Sequence, residues 1–424
     1  MTCLYQSAGN DVPGFSTHGH IVVSLTCTVY HFSAFMIAVL IMVFFLAIVY
    51  AIQMVYYRAG WTTLATFKLT SSTHPPSIFI TVLVPARNEE ENLPLLLNAL
   101  EKQEYPMDLF EVLVIDDFST DATAGLVRSF GKENIKLLSL AEYTGNNLNS
   151  YKKKAIEFGV NKSMGELIIT TDADCYMSKT WLSTIVRFYE STKPELIVMP
   201  VSIDCSNRFI EIFQALDFMG LQGITGAAVN KKFLSMCNGA NLAYTKKAFT
   251  AVNGFEGIDD IASGDDMLLM TKIRNKYPEG ISYLKSPDVI VHTKPMYTLS
   301  GFLNQRIRWA SKADKYNDKK MFTVLLFVYL YNLMLVILPV IAIFNNSRYA
   351  LLGQSLTVLH SWLILLALKT VAELYFLYPV AHFFKKQHLL WLFPLAQPFH
   401  ILYIVLAGWL GKFGSYQWKG RKVR

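Results

Sequence analysis

Charged residues are scarce in this sequence. Only 17% of the 424 residues are Asp, Glu, Lys or Arg, whereas average globular chains have about 25%, and 52% are hydrophobic. This composition excludes a chain that is soluble throughout. The apolar excess is concentrated in four nearly uncharged stretches, each as long as the roughly 20 residues that cross a bilayer. These stretches are residues 32–57, 321–344, 352–384 and 389–410.

Cysteine is also rare, with five in the chain and no CxxC or His-flanked pair among them. That spacing excludes the usual zinc-binding motifs, so we expect reduced cysteines without a metal. The net charge is +7, and the basic tail at 411–424 supplies much of the excess. We interpret it as juxtamembrane charge facing anionic lipid. The sequence has no repeat, low-complexity tract or nucleic-acid-binding signature, so we expect no nucleic-acid partner.

Between the first two apolar stretches, residues 70–320 carry most of the charge, which predicts one soluble domain held between membrane helices. Residues 1–31 precede a run that is too long for a signal-peptide core, so the first helix should remain as an anchor. Basic residues next to the domain favour a cytoplasmic location, in a multi-pass protein of the cell inner membrane. They are Arg58, Lys68, Lys312, Lys315, Lys319 and Lys320.

The last apolar stretch is the weakest candidate span, because Pro394, Gln397 and Pro398 interrupt it. We therefore expect either a transmembrane or a re-entrant helix there. Three full spans after a cytoplasmic domain would place the basic tail outside, against the charge rule that orients the first helix. The sequence leaves the side of the tail open.

Short β-branched runs alternate with helical patterns in the soluble domain. This alternation predicts an α/β fold with a mostly parallel central sheet. The predicted strands are 79–84, 111–115, 135–138 and 167–171, and the predicted helices are 92–102 and 151–160.

Polar and acidic residues follow three of these strands. In open α/β sheets ligands bind at the carboxyl ends of the strands, so these groups should converge. Neighbouring carboxylates repel unless a cation intervenes, and Mg²⁺ or Mn²⁺ on a diphosphate would relieve the repulsion. An Asp-x-Asp alone is weak evidence, because Asp is also a common turn residue. The residues are Arg87, Asn88, Glu89, Asp116, Asp117, Asp172 and Asp174.

Five short motifs follow one another in the soluble domain. They are VPARNEE at 84–90, DDxSxD at 116–121, DAD at 172–174, GDD at 264–266 and QxxRW at 305–309. As an ordered set, they resemble membrane-bound family 2 glycosyltransferases of the GT-A fold. That branch includes cellulose, hyaluronan, chitin and poly-N-acetylglucosamine synthases and ceramide glucosyltransferase. The resemblance spans residues 81–309, the whole soluble domain.

The resemblance implies a role for each acidic group of the nucleotide site. Asp117, with Glu89 and Arg87, would contact the base and ribose of the nucleotide, and Asp116 would support that loop. Asp174, helped by Asp172, would hold the Mg²⁺ or Mn²⁺ that bridges the diphosphate. A cation there would stabilise the charge that builds on the departing nucleoside diphosphate.

The same resemblance makes Asp266 the general base that deprotonates an acceptor hydroxyl. The family usually has Glu before this Asp, and the shorter Asp265 leaves two alternatives, a helper or the base itself. Gln305, Arg308 and Trp309 would close over the diphosphate and the acceptor.

Alternative interpretations remain for several segments. The helix that carries QxxRW also fits an amphipathic helix on the membrane surface, with Arg306 and Arg308 near headgroups. Lys152 and Lys153 fit an exposed lysine face better than a nucleotide contact. Residues 206–223 fit either a membrane-surface helix or a core helix. Asn241 stands where the family lines its donor-sugar and acceptor pocket, and a plain turn at residues 238–241 is the alternative.

The resemblance implies an inverting transfer from a nucleoside-diphosphate sugar, with a UDP-sugar favoured, to a hydroxyl of a membrane-associated lipid. The alternative is a processive polysaccharide synthase acting on a glycan, although few helices are available for a polymer channel. An accessory subunit or a homo-oligomer would complete such a channel. A third reading is a non-catalytic membrane partner.

Overall fold

The structure, a computed structural model, describes residues 18–69, 76–144, 150–233, 236–259, 264–312, 318–351, 353–414, 416–418 and 421–423. Its helices are α1 (His18–Thr62), α2 (Leu93–Glu101), α3 (Thr123–Phe130), α4 (Tyr151–Lys162), α5 (Trp181–Thr192), α6 (Phe209–Asn230), α7 (Lys246–Ala251), α8 (Asp265–Lys276), α9 (Leu299–Ala310), α10 (Lys319–Phe344), α11 (Val358–Phe383) and α12 (Phe393–Phe413). Its strands are β1 (Ile80–Ala86), β2 (Phe110–Asp116), β3 (Ile135–Ser139), β4 (Leu167–Thr170), β5 (Cys175–Tyr176), β6 (Leu196–Val198), β7 (Val201–Ile203), β8 (Leu242–Thr245), β9 (Ile281–Tyr283), β10 (Val291–Thr293), β11 (Arg348–Leu351), β12 (Gln354–Thr357), β13 (Tyr416–Trp418) and β14 (Arg421–Val423).

The central sheet is mostly parallel, as the alternation of strands and helices predicts. Its strand order is β3-β2-β1-β4-β8-β6-β9. β1 pairs in parallel with β2 and β4, in a register that sets Ile80 opposite Phe110 and Leu167. β8 is antiparallel to both of its neighbours. These strands are almost entirely buried, because helices cover both faces of the sheet.

A second, three-stranded sheet has the order β5-β10-β7. β10 runs antiparallel to β5, which pairs Thr293 with Cys175. Since β5 begins directly after the DAD motif, this pairing brings residue 293 beside it. A short 3₁₀ helix, Pro287–Val289, precedes β10, which begins at Val291.

Helix α6 joins the α/β domain to the candidate membrane helices. It contacts α1 and α11 on one side and strands β7 and β9 on the other. Most of its residues are buried, including the polar Gln214 and Asp217. Within the segment 206–223, residues 209–223 therefore form part of a core helix, and the membrane-surface alternative is wrong.

Four helices are long and apolar enough to cross a bilayer in the described part of the chain. They are Ser33–Thr62, Lys319–Phe344, Val358–Phe383 and Gln387–Phe413. The 3₁₀ helix Gln387–Leu392 runs directly into α12, which continues through Pro398. A β11–β12 hairpin occupies the start of the predicted 352–384 stretch, and α11 begins only at Val358.

Candidate active site

A cavity of about 1090 Å³ opens at the carboxyl ends of β1, β2 and β4. Its walls are formed by loops that follow these strands, by the start of α8 and by one face of α9. Most of the residues predicted from the motifs converge on it. They are Arg87, Glu89, Asp117, Asp172, Asp174, Asp265, Asp266, Gln305, Arg308 and Trp309.

Hydrogen bonds between the loop that follows β1 and the loop that follows β2 form one corner of the cavity. Arg87 Nη1 donates to the carbonyl oxygens of Asp117, at 2.7 Å, and Phe118, at 2.9 Å. Asn88 and Phe118 have positive φ angles of 51° and 52°, so the two chains turn sharply after their strands. Glu89 and Asp117 are buried there, next to Arg87.

Asp116 lies at the end of β2 and does not line the cavity. One of its carboxylate oxygens accepts a hydrogen bond from Ser119 N at 3.3 Å. This bond holds the loop that presents Asp117. In the structure Asp116 therefore contacts the loop and does not line the cavity.

The DAD motif faces a lysine from helix α4. Lys152 Nζ lies 2.7 Å from Asp172 Oδ1 and 3.6 Å from Asp265 Oδ2. Burial lowers the pKa of Lys152, but Asp172 and Asp265 outweigh it and raise that pKa above its usual value. Lys153 is buried, and its Nζ donates to the Ile258 carbonyl at 2.5 Å. The interpretation of these lysines as an exposed face is wrong.

Asp174, the last residue of the DAD motif, contacts strand β10. Its Oδ2 accepts a hydrogen bond from Thr293 Oγ1 at 3.3 Å. No group of three or more His, Cys, Asp or Glu side chains in the described residues is arranged to hold a metal ion. The donor set at Asp172 and Asp174 fits a hard cation that takes one or two carboxylate ligands and the rest from a diphosphate and water. It does not fit an all-protein metal cage.

The GDD motif forms the start of α8. Gly264 has a φ of +81°, which favours glycine, and the helix begins at Asp265. Asp266 Oδ2 accepts a hydrogen bond from Gly239 N at 3.0 Å. A Cβ on Gly239 would lie 3.2 Å from Asp265 Oδ2 and 3.6 Å from Lys152 Nζ, so a larger residue would crowd the acidic pair.

Charged neighbours surround Asp266 of the GDD motif. Burial, and then the charge of Asp265, raise the pKa of Asp266, although Lys312 and Lys152 oppose this shift. Burial lowers the pKa of Lys312, which follows the QxxRW helix. Lys312 was not predicted as a site residue. Its position directly after the QxxRW helix, four residues beyond Arg308, is a signal that sequence reasoning missed.

Asn241 does not reach the cavity. It is fully buried, and its Oδ1 accepts a hydrogen bond from Trp181 Nε1 at 3.1 Å. Its Nδ2 donates to the carbonyls of Pro200, at 2.7 Å, and Val289, at 2.8 Å. The prediction that Asn241 lines the sugar pocket is corrected, because these bonds use its amide inside the core. The cavity is instead lined by Asn238, Gly239 and Ala240.

Helix α9 presents the QxxRW motif to the cavity, with Gln305 and Trp309 on one face. The ring of Trp309 packs against Phe218 of α6, at 5.8 Å between centroids. Arg306 is buried in an ion pair with Asp217, at 2.6 Å. Arg306 therefore does not lie near lipid headgroups, and a purely membrane-surface helix is the wrong description.

The cavity continues away from the acidic cleft and between the membrane-helix candidates. Residues of α10 and α12 form this apolar part. They are Phe322, Leu325, Leu326, Val328, Tyr329, Ile404, Ala407 and Gly408. A Cβ on Gly408 would lie 2.7 Å from the Tyr329 ring, so the glycine permits close packing of the two helices. One cavity thus joins a charged cleft to an apolar part between α10 and α12.

Such a fold, with acidic loops at the carboxyl ends of parallel strands and a basic helix closing the cleft, is typical of enzymes that bind an anionic nucleotide ligand. Two family models match the chain: "Glycosyl transferase family 2" over residues 81–250 and "Glycosyl transferase family group 2" over residues 167–410. The second covers more than half of the sequence. The chain therefore belongs to the family 2 glycosyltransferases, and it is an enzyme.

Curated relatives match part of the chain. "Glycosyltransferase AglE" of Haloferax volcanii is 33% identical over 121 residues, 28% of this chain and 38% of the relative. A "4,4'-diaponeurosporenoate glycosyltransferase" of Staphylococcus aureus is 32% identical over 142 residues, 32% of this chain and 35% of the relative. The chain thus matches little more than a third of the length of either relative.

The fold is similar to that of a solved GT-A-like enzyme. The structure "Mannosyltransferase PcManGT from Pyrobaculum calidifontis in complex with GDP-Man and Mn2+" aligns with a TM-score of 0.55. The alignment covers 86% of this chain and 98% of that chain, at 20% sequence identity. This likeness establishes the GT-A-like α/β fold.

Proposed function

We propose that this glycosyltransferase lies in a membrane through α1, α10, α11 and α12, and moves a sugar with inversion from a nucleoside-diphosphate sugar to a hydroxyl of a lipid. A UDP-sugar is the favoured donor. The observation that carries the proposal is the continuity of the cavity, from the acidic cleft to the apolar space between α10 and α12. An acceptor with a polar head and an apolar tail fits both parts.

The donor end is supported by the charges of the cleft. Asp117, Glu89 and Arg87 line the corner that would receive the base and ribose. Asp174 and Asp172 would hold Mg²⁺ or Mn²⁺, which would supply positive charge to the diphosphate. The Pyrobaculum enzyme with a similar fold was solved with GDP-Man and Mn²⁺, which supports a nucleoside-diphosphate sugar and a divalent cation as ligands of such a cleft.

The transfer itself is proposed as a single displacement. Asp266 takes the proton of the acceptor hydroxyl as the oxygen attacks the anomeric carbon, and the bond from that carbon to the diphosphate oxygen breaks. The nucleoside diphosphate leaves with the electron pair, and Arg308 stabilises its charge. Asp265 lies 3.6 Å from the ammonium of Lys152, which favours Asp266 as the base.

The identity of the product tests the proposal. Membranes that contain the protein would be incubated with radiolabelled nucleotide sugars and Mg²⁺, Mn²⁺ or EDTA, beside membranes with Asp266→Asn. We expect metal-dependent label in the organic phase and a loss of about 10²- to 10⁴-fold in Asp266→Asn, the range for removal of a general base. Donor binding should persist in this variant.

Other outcomes would contradict the proposal. Label retained in a large aqueous or insoluble product would support a processive synthase, for which the four candidate spans are few. Wild-type turnover by Asp266→Asn would remove Asp266 from its role. Equal transfer with EDTA would count against the metal.

A further inference from the structure

A buried ion pair lies beneath the QxxRW helix. Arg306 of α9 donates from Nε, at 3.0 Å, and from Nη2, at 2.6 Å, to Oδ2 of Asp217 on α6. Both side chains are only 3% exposed. Neither residue belongs to the motif positions assigned to the donor or acceptor. The pair connects α9 to the helix that joins the soluble domain to the membrane helices.

The second oxygen of the Asp217 carboxylate binds α12. Tyr403 donates its hydroxyl to Oδ1, and His400 Nε2 lies 3.5 Å from the same atom. Burial raises the pKa of Asp217, but Arg306, His400 and Tyr403 outweigh it and hold that pKa at about 2. His400 Nδ1 in turn lies 3.5 Å from Lys369 Nζ on α11. The carboxylate is thus shared between the catalytic domain and the membrane helices.

Arg306 contacts two motif residues at once. Its Nη1 donates to Gln305 Oε1 at 2.8 Å. Its guanidinium carbon lies 4.3 Å from the Trp309 ring centroid and 4.7 Å from that of Phe302. The planar guanidinium therefore orients an amide and an indole that both line the cavity.

A gain in folding stability does not by itself explain why an ion pair is buried here. The cost of removing both charges from water offsets most of their attraction, and an apolar pair of similar volume is often as stable or more stable. A carboxylate with fixed geometry does, however, determine where a guanidinium lies. Positioning therefore explains the pair better than stability does.

We infer that Asp217 is a positioning residue, which acts through Arg306 to hold Gln305 and Trp309 over the reacting groups. Through Tyr403 and His400 it also sets the position of α9 relative to α12, where the apolar part of the cavity lies. This inference rests on the proposed function, because Gln305 and Trp309 are taken to face donor and acceptor.

The test compares three variants of the full chain in detergent or membranes. Asp217→Asn keeps the shape and removes the charge, and the double variant Asp217→Leu with Arg306→Met removes both charges and leaves an apolar contact. Glu211→Gln is the matched control, since Glu211 is a buried acid on the same helix that bonds Ser206 N instead of α9.

We expect kcat to fall on the order of 10²-fold in Asp217→Asn and in the double variant, because a displacement of about 1 Å at a reacting site costs that much. The KM for the donor should stay within about three-fold. The melting temperature of the double variant should fall modestly, because the Tyr403 hydroxyl and His400 lose their acceptor. Glu211→Gln should keep its wild-type kcat. A double variant with wild-type kcat would overturn the inference.

The emission of Trp309 gives a second readout that does not depend on turnover. It is isolated as the difference between each protein and its Trp309→Phe counterpart. Asp217→Asn should shift this emission and Glu211→Gln should not; an unchanged spectrum in Asp217→Asn would contradict the inference. If the wild type transfers no sugar, the proposed function fails, but this spectral comparison still decides whether Asp217 positions Trp309.

Discussion

At the residue scale, the pKa of Asp266 is set by its burial and by charges on three segments: Asp265 beside it on α8, Lys152 on α4 and Lys312 after α9. Burial and Asp265 raise its pKa, and Lys312 and Lys152 lower it. Gly239 N donates to its Oδ2 and keeps the carboxylate directed at the cleft. A general base works best when its pKa lies near the working pH, so a raised carboxyl pKa suits this role.

The balance of charges around Asp266 predicts opposite pH shifts in two variants. The base acts when ionised, so kcat/KM should fall as the pH drops through its raised pKa. Asp265→Asn removes a negative neighbour, lowers that pKa and should move the acid limb to lower pH. Lys312→Met removes a positive neighbour, raises the pKa and should move the limb to higher pH.

The measurement is the pH profile of kcat/KM at saturating metal, with Glu211→Gln as a control that should leave the limb in place. Shifts of the same sign in both variants would show that Asp266 does not control the acid limb.

At the element scale, α6 is held by close packing as well as by polar bonds. A Cβ on Gly223 would lie 2.6 Å from Val380 Cγ2 and 2.8 Å from Phe376 Cζ on α11. A Cβ on Gly220, one turn earlier, would meet only Leu377 Cδ2, at 3.5 Å. Two glycines on the same face of one helix therefore differ in the space around them.

This difference predicts the effect of two alanine substitutions on stability. Gly223→Ala should destabilise the protein by about 1–3 kcal/mol, because overpacking forces α6 and α11 apart. Gly220→Ala should be neutral or stabilising by up to about 1 kcal/mol, since alanine favours a helix. Thermal unfolding in detergent measures both. A lower melting temperature in Gly220→Ala alone would contradict the packing argument.

At the scale of the whole molecule, the α/β domain lies at one end of the four candidate spans and the β11–β12 hairpin lies at the other. The domain joins α1 at Thr62 and α10 at Lys319, whereas the β11–β12 hairpin follows the other end of α10 and contacts α1. If the helices cross a bilayer, the hairpin and the domain lie on opposite sides. From the positive-inside tendency, we propose that the domain lies in the cytoplasm.

Single cysteines on exposed residues test this orientation. In a cysteine-free background that retains activity, Lys102→Cys should react with an impermeant thiol reagent only in inverted membrane vesicles. Gln354→Cys, in the hairpin, should react only in right-side-out vesicles. Both positions are exposed. Reaction of both from the same side would contradict the assigned topology.

Much of the fold was predictable because its patterns are local. Short continuous β-branched runs predicted β1, β2, β3 and β4 to within a few residues, because a parallel strand buried on both faces is apolar along its length. The antiparallel β8 was not predictable in its direction, which depends on pairing with strands elsewhere in the chain. The motif residues were found for the same local reason, although their roles stay predictions.

The errors concern side chains whose partners lie far away in sequence. The run Asn238 to Asn241 does not indicate which amide faces the core, and Trp181, 60 residues earlier, decides it. Nothing near Lys152 in the sequence indicates that it faces Asp172, 20 residues on.

The sequence by itself determined the α/β class, the four apolar helices and the acidic motifs at strand ends, because periodicity and turn chemistry act over a few residues. Only the tertiary structure decided which charges meet. Asp217 and Arg306 are 89 residues apart, and each alone reads as an ordinary polar residue on a helix. Their contact depends on how separate helices pack, and so does the joining of the acidic cleft to the apolar part of the cavity. Packing decides these features because burial and distance set the interaction energy between two charges.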